Sequence, residues 1–150
     1  MKNINDCIEE NEHKKLFFRR EQGKTFLLKS DREFLCKIVA VDNCVFKNSE
    51  LKRCDYLFLI DAKEFNPKAF YVELKGINIK YACEQLYNSI KLTRSEILKY
   101  EIEAKVISVK NFHPNLLNNE YFRKVKKLIK REISFHKVHK GNNFTHTETL

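Results

Sequence analysis

The sequence predicts an α/β fold with a short, mixed central β-sheet flanked by helices. Two runs dense in β-forming residues, 54–60 and 69–75, follow one another across a short polar segment. An amphipathic helical pattern comes next at 78–92, and a further strand-like run follows it at 104–109. Strands that lead into a helix and then into another strand favour a layered α/β arrangement.

The first third of the chain has the least regular pattern. Residues 4–18 predict a helix that ends near Gly23. Residues 24–29 and 34–41 predict strands, although the polar pair before the second stretch would also suit the cap of a helix. The secondary structure of 34–41 therefore stays open between strand and helix.

The middle of the chain gives a clearer pattern. Asn66 and Pro67 lie between the two β-forming runs and predict a turn, so that 54–60 and 69–75 form an antiparallel hairpin. The residues of 78–92 that fall on one helical stripe are Ile79, Ala82, Cys83, Leu86 and Ile90. This helix would bury one face against the sheet.

The last third predicts the strand 104–109, a second amphipathic helix over 119–135 and a polar, disordered tail over 136–150. We therefore expect a single domain over residues 1–135. His136 and His139 form an H-x-x-H pattern in the tail, but a metal site needs a rigid frame that a disordered segment lacks.

Charge and composition narrow the class of function. The chain has 29 Lys and Arg against 20 Asp and Glu, and the resulting charge of +9 suits a polyanionic partner. It contains no run of 18 apolar residues and no apolar core of a signal peptide, so we expect a cytoplasmic location, no membrane contact and five cysteines present as thiols. Three glycines do not build a phosphate-cradling loop, which argues against nucleoside triphosphatases and dinucleotide enzymes.

Three charged residues on the predicted hairpin carry the chemical signal. Glu73 and Lys75 lie two apart on one strand, so their side chains share a face, and Asp55 lies near the start of the preceding strand. The hairpin could bring Asp55 near Glu73, in a register that the sequence does not fix. Two close carboxylates repel unless a cation lies between them, and Mg²⁺ accepts carboxylates together with water and phosphate. The set has the parts of a metal-dependent phosphodiester hydrolase.

Asp55, an apolar strand and turn, then Glu73-Leu74-Lys75 and a helix carrying Gln85 resemble the PD-(D/E)XK nuclease superfamily. Restriction endonucleases, Holliday junction resolvases and the phage lambda exonuclease belong to it, and the resemblance covers roughly residues 50–110. It implies a restriction endonuclease-like fold with Asp55 and Glu73 as ligands of Mg²⁺ or Mn²⁺. Lys75 would be the catalytic lysine, and Gln85 the glutamine that some branches carry on the next helix.

The chain departs from the superfamily pattern in two places and leaves a third position open. Cys54 precedes Asp55 where the superfamily often has proline, and no tyrosine stands four residues after Gln85. The acidic residue that is common on the first helix of the superfamily has three candidates, Glu9, Glu10 and Glu12.

The densest positive charge lies between residues 123 and 140. We expect contacts to nucleic acid, with DNA favoured, from Lys80, Lys124, Lys127, Lys130 and Arg131. The predicted function is a nuclease of repair, recombination or defence, and a homodimer is one of its possible assemblies. The alternative is a catalytically inactive protein of the same fold that binds nucleic acid or serves as a protein-assembly module.

Overall fold

The computed structural model describes residues 1–47, 50, 53–74, 78–111, 116 and 118–150. The strands and helices within these residues are β1 Ile8–Glu21, β2 Lys24–Ala40, β3 Tyr56–Ala62, β4 Phe65–Glu73, α1 Ile79–Thr93, β5 Glu101–Ser108, α2 Glu120–Ile129, β6 Ser134–Lys137 and β7 Thr145–Thr149. None of the helices has the length and apolar character that crossing a membrane would require.

The sheet is mixed, as the sequence predicts. Its strands run in the order β1-β2-β3-β4-β5-β6, and β7 pairs with β2 beside this path. Strands β1 to β4 are antiparallel neighbours, whereas β4, β5 and β6 are parallel. Parallel neighbours need a crossover connection, and α1 and α2 lie in the two crossovers. The α/β class is therefore confirmed.

The two faces of the sheet are covered by different layers. Both helices pack on one face, where α1 contributes Leu86 and Ile90 and α2 contributes Val125 to a buried apolar cluster. The other face is covered by the first half of β2 and the end of β1, whose Phe26 and Phe17 lie in a second cluster. The prediction that helices flank the sheet is wrong in this respect. The 17-residue β2 is long enough to pair with β3 through its second half and to cover the sheet with its first half.

The predicted helix over 4–18 is also wrong. Residues 8–21 form β1, which pairs with β2 around a tight turn at Gln22 and Gly23, where both residues have positive φ values of 46° and 77°. Phe17 is fully buried while its neighbours are exposed, which is the two-residue period of a strand. Of the two alternatives for 34–41, the strand is correct through Ala40. Long antiparallel pairing outweighs the weak helical spacing of this region.

The hairpin, α1 and β5 confirm the predicted elements of the middle of the chain. The predicted position of the turn is wrong, because Asn66 and Pro67 belong to β4 and the chain turns at Lys63 and Glu64, where Ala62 pairs with Phe65. The second helix is shorter than the predicted 119–135. It ends at Ile129 because Lys130 adopts a left-handed conformation, with φ of 58°. Ile133, within the range predicted for this helix, lies beyond the observed helix but still reaches the buried cluster on the helical face.

The region predicted as a disordered tail contains ordered strands. β6 pairs in parallel with β5, and β7 pairs in parallel with β2 through five residues. Val138, just after β6, is buried among the apolar side chains of the second cluster. The sequence did not predict these strands because few of their residues are apolar and backbone pairing is what mainly holds them.

The cysteines also differ from expectation. Cys7 and Cys44 form a disulfide, whereas Cys36, Cys54 and Cys83 are free and buried. The expectation of five thiols is therefore wrong. A 3-10 helix at Ile4–Cys7 and a π-helical turn at Val41–Val45 bring Cys7 beside Cys44. Disulfides persist mainly in oxidising environments, so the cysteines no longer support a cytoplasmic location.

Candidate functional site

The β3–β4 hairpin places Asp55 opposite Glu73. The antiparallel register pairs Tyr56 with Val72 and Leu57 with Tyr71, so Asp55 and Glu73 form the next opposed pair. Opposed residues on antiparallel strands project to the same face with their Cβ atoms roughly 4.5–5.5 Å apart. The alternation along β4 puts this pair on the helical face, because Tyr71 packs in the cluster beneath α1.

Both acids are withdrawn from solvent. Glu73 is fully buried and Asp55 is 4% exposed. The backbone N–H of Leu74 donates to Oδ2 of Asp55 at 2.8 Å, which fixes the Asp55 carboxylate against the end of β4. Burial raises the pKa of the neighbouring Cys54 thiol, and the negative charges of Glu73 and Asp55 raise it further. The two carboxylates are therefore both close enough to the buried Cys54 thiol to raise its pKa.

The predicted catalytic lysine, Lys75, lies outside the described residues. Glu73 is the last residue of β4, and α1 begins at Ile79 after the cap residue Asn78. Asn78 accepts hydrogen bonds from the backbone N–H groups of Lys80 and Tyr81, which starts the helix directly after the acid-bearing strand.

Gln85 lies on α1 and reaches the strand that follows Arg53. Its Nε2 donates to the backbone carbonyl of Arg53 at 3.0 Å, and Ser89 Oγ accepts from the N–H of Cys54 at 2.9 Å. These two bonds hold the helix over the two residues that precede Asp55. The structure therefore gives Gln85 a contact that positions the backbone beside the acid pair.

A third acid, Asp42, lies at the same end of the sheet and escaped sequence analysis. The N–H of Val41 donates to the carbonyl of Asp55, so the segment after β2 borders the acid pair. Asp42 accepts from Arg53 in an ion pair with nitrogen–oxygen separations of 3.0 and 3.1 Å, and its charge also raises the pKa of Cys54. An acid directly after the apolar run 38–41 was the available signal.

The three N-terminal glutamates have a different position. Glu9 and Glu10 lie on β1 and form ion pairs with Arg19, and Lys14 pairs with Glu10 and Glu12. Burial alone would raise the pKa of Glu10, but hydrogen bonds from Lys14 and Arg19 leave it lowered. Because this region forms a strand, the first-helix acid implied by the resemblance has no helical counterpart here.

A cleft of about 200 Å³ opens at the carboxyl ends of β5 and β6, beside the start of α1. Ligands of α/β sheets commonly bind at the carboxyl ends of parallel strands. The residues that line it are Ile79, Ser108, Lys110, Asn111, Phe135, His136 and Lys137. The two lysines, with the Ser108 hydroxyl and the Asn111 amide, suit an anionic ligand. The sequence did not predict Lys110 as a site residue.

The predicted basic residues divide into paired and exposed groups. Lys124 pairs with Glu120 at 2.7 Å and lies over the ring of Tyr87, and Arg131 pairs with Glu103 at 3.5 Å. Lys80, Lys127 and Lys130 are exposed. Because α2 packs beside α1, these cations lie on the same face of the sheet as the acid pair.

Comparisons with known proteins identify no relative, so the function of the chain must be argued from the geometry of its site. No protein-family model matches the chain, and neither the curated proteins nor the solved structures contain a match. The geometry shows a buried acid pair at the end of two antiparallel strands, a helix over it and a basic surface alongside. Such an arrangement can hold a divalent cation next to a phosphate.

Proposed function

We propose that the chain is a Mg²⁺-dependent nuclease of the PD-(D/E)XK type, with Mn²⁺ as a substitute metal. The observation that carries the proposal is the opposed pair of buried acids, Asp55 and Glu73, at the end of the β3–β4 hairpin. Support for a restriction endonuclease-like fold comes from the order of elements around them, in which the acid-bearing antiparallel pair leads into α1 and then into the parallel strand β5.

The chemistry follows from the charges. Asp55 and Glu73 would hold Mg²⁺ through their carboxylate oxygens, which are ligands that this ion prefers. The chemistry that the bound ion would supply is a more acidic water molecule and a polarised scissile phosphate. Lys75 is two residues from Glu73 and would steady the charge that develops on the phosphate. Gln85 would hold the backbone before Asp55 in place through Arg53.

The substrate is assigned from the surroundings of the acid pair. A nucleic-acid backbone would enter along the carboxyl ends of β5 and β6, where Lys110 and Lys137 line the cleft. The exposed Lys127 on α2 and Lys130 directly after it would neutralise phosphates beyond the cleft. Phosphate contacts position a duplex without reading its sequence, so this surface favours cleavage directed by structure or by a partner.

The test is cleavage of labelled linear and branched DNA, and of matched RNA, in the presence of Mg²⁺ and in EDTA. Asp55→Asn, Glu73→Gln and Lys75→Met should each reduce cleavage at least about 100-fold while binding is retained. Glu64→Gln is the matched control, because Glu64 lies in the turn of the same hairpin and is exposed beside Arg32. Metal-dependent cleavage that survives Asp55→Asn would refute the assignment.

The basic surface of α2 also favours the alternative function, a nuclease-fold protein that binds nucleic acid without cutting it. In that case the wild-type protein binds DNA or RNA with a strong salt dependence but shows no cleavage with Mg²⁺ or Mn²⁺. Asp55→Asn and Glu73→Gln would then leave binding unchanged, since the contacts to the polymer would come from the basic surface alone.

A further inference from the structure

A second cluster of metal-binding side chains lies on the face of the sheet opposite the acid pair. It consists of His136 on β6 and of His146 and Glu148 on β7, with their donor atoms all within 4.8 Å of one another. Nε2 of His146 lies 3.2 Å from Oε1 of Glu148, and Nε2 of His136 lies 3.7 Å from the same oxygen.

The two separations from the Glu148 oxygen are close to those of a tetrahedral zinc site. Zinc binds imidazole nitrogen and carboxylate oxygen at about 2.0–2.1 Å, which places tetrahedral ligand atoms roughly 3.3–3.4 Å apart. Two histidines and one glutamate are a known type of three-ligand zinc set, with a fourth position left for water. Imidazole donors favour Zn²⁺ and related transition metals over Mg²⁺, which prefers an all-oxygen shell.

The strands supply the frame that a metal site requires. His136 is held on β6 opposite Ile107, and β7 is held by five paired residues of β2 that include Phe26 and Leu28. The ring of His146 packs 6.0 Å from the ring of Phe26. Nε2 of His136 is shielded from solvent and has no hydrogen-bond partner among the described residues, so one donor of the set is not otherwise used.

Two features of the metal-free site must change when an ion enters. The imidazole rings are stacked, with centroids 3.6 Å apart and planes inclined by 19°, so one ring must turn to bring its nitrogen into line with the ion. The buried Lys105 lies 2.8 Å from Glu148, and it must shift toward Glu103, which is 3.3 Å away. Lys105 therefore competes with the metal for Glu148.

We infer that His136, His146 and Glu148 form a Zn²⁺ site that fastens β7 to the layer containing β6. The ion bridges two strands that belong to different layers of the molecule, since β6 pairs with β5 and β7 pairs with β2. This inference does not rest on the proposed nuclease activity, because none of its ligands belongs to the acid pair, although His136 also lines the cleft at the ends of β5 and β6.

The test is a titration of Co²⁺ into metal-free full-length protein that carries no polyhistidine tag, followed by competition with Zn²⁺. We expect one ion per chain, the intense visible absorption of four-coordinate Co²⁺, and a rise in Tm with Zn²⁺. His136→Gln and His146→Gln should each weaken binding by at least the roughly 10–100-fold that loss of an outer-shell partner costs. The matched control is His13→Gln, since His13 is exposed on β1.

Lys105→Met gives a second test that does not remove a ligand. It frees Glu148 from its competing cation and should strengthen Zn²⁺ binding by about tenfold or more, whereas a site without metal function would show only lower stability. Circular dichroism of each variant distinguishes loss of binding from loss of fold. Binding that is not saturable, or that falls equally in His13→Gln, would overturn the inference, and Asp55→Asn should leave it unchanged.

Discussion

The acid pair and the histidine cluster lie on opposite faces of one sheet and are assembled in different ways. Asp55 and Glu73 belong to neighbouring antiparallel strands joined by a short turn, so their juxtaposition follows from the register of a hairpin. His136 and Glu148 belong to β6 and β7, which do not pair with each other and meet only because β2 folds over the sheet. Local pairing is visible in a sequence, whereas layering depends on the whole fold.

The two sites also differ in their charge. The acid pair concentrates negative charge, since Asp42, Asp55 and Glu73 all raise the pKa of Cys54. The cluster balances its charge internally, because hydrogen bonds from His146 and Lys105 lower the pKa of Glu148 to about 2 although burial opposes them. Under the proposed function the first site binds a divalent cation, whereas the acid of the second site already has two partners, His146 and Lys105.

The largest expected effect tests whether the C-terminal strand is an integral part of the fold. Deletion of residues 140–150 should lower the free energy of unfolding by about 5 kcal/mol, at roughly 1 kcal/mol for each of five paired residues. Urea denaturation measures it, with Thr147→Ala as a control on the exposed side of β7. If the free energy of unfolding falls by less than about 0.5 kcal/mol, the segment adds no stability, as expected of the disordered tail that its composition predicts.

The disulfide gives the next largest effect, on the side of the molecule away from β7. Replacement of Cys7 and Cys44 by serine opens a loop of 37 residues and should cost roughly 2–4 kcal/mol. Urea unfolding with and without reductant measures the loss. The double variant should be insensitive to reductant, and a wild-type protein whose stability does not respond to reductant would show that the bond is absent in solution.

Sequence reasoning succeeded where local pattern determines structure. The apolar stripe predicted α1, and the β-forming runs predicted the hairpin. The hairpin in turn suggested that Asp55 and Glu73 lie close together. It failed for β1 and β7, where long-range pairing with β2 supplies the stability. Asp42 was missed because its proximity to Asp55 depends on how β2 aligns with β3. The roles of Asp55, Glu73, Lys75 and Gln85 stay predictions until cleavage is measured.

A pH titration separates the two sites further. Burial, together with the nearby His146, lowers the pKa of His136 to about 4, so this imidazole is neutral in the folded protein below its ordinary pKa near 6.5. As the pH falls from about 6.5 to 4 the unfolded chain takes up the proton first, and stability should decrease by on the order of 1–3 kcal/mol. Urea unfolding in EDTA measures this, and His136→Gln should remove most of the slope in that window.

At the acid pair, the corresponding test removes one carboxylate and follows the response to Mg²⁺. Asp55→Asn leaves one carboxylate where the proposed function needs two, so Mg²⁺ should raise the Tm of the wild type and leave the Tm of the variant unchanged. Thermal unfolding in EDTA and in Mg²⁺ gives both values. If Mg²⁺ raises the Tm of both proteins equally, the carboxylates do not share an ion.

The smallest effect concerns which face of the molecule meets nucleic acid. Lys127 on α2 and Lys130 directly after it are exposed on the side of the helical face. Lys15 on β1 and Lys29 on β2 are exposed on the layer that covers the opposite face. Each phosphate contact contributes about 0.9 to the slope of log K against log salt. Lys127→Gln with Lys130→Gln should therefore reduce that slope by roughly 1–2 without a change in stability. The matched pair Lys15→Gln with Lys29→Gln removes the same charge, so an equal reduction would mean that net charge, and not the face bearing the acid pair, governs binding.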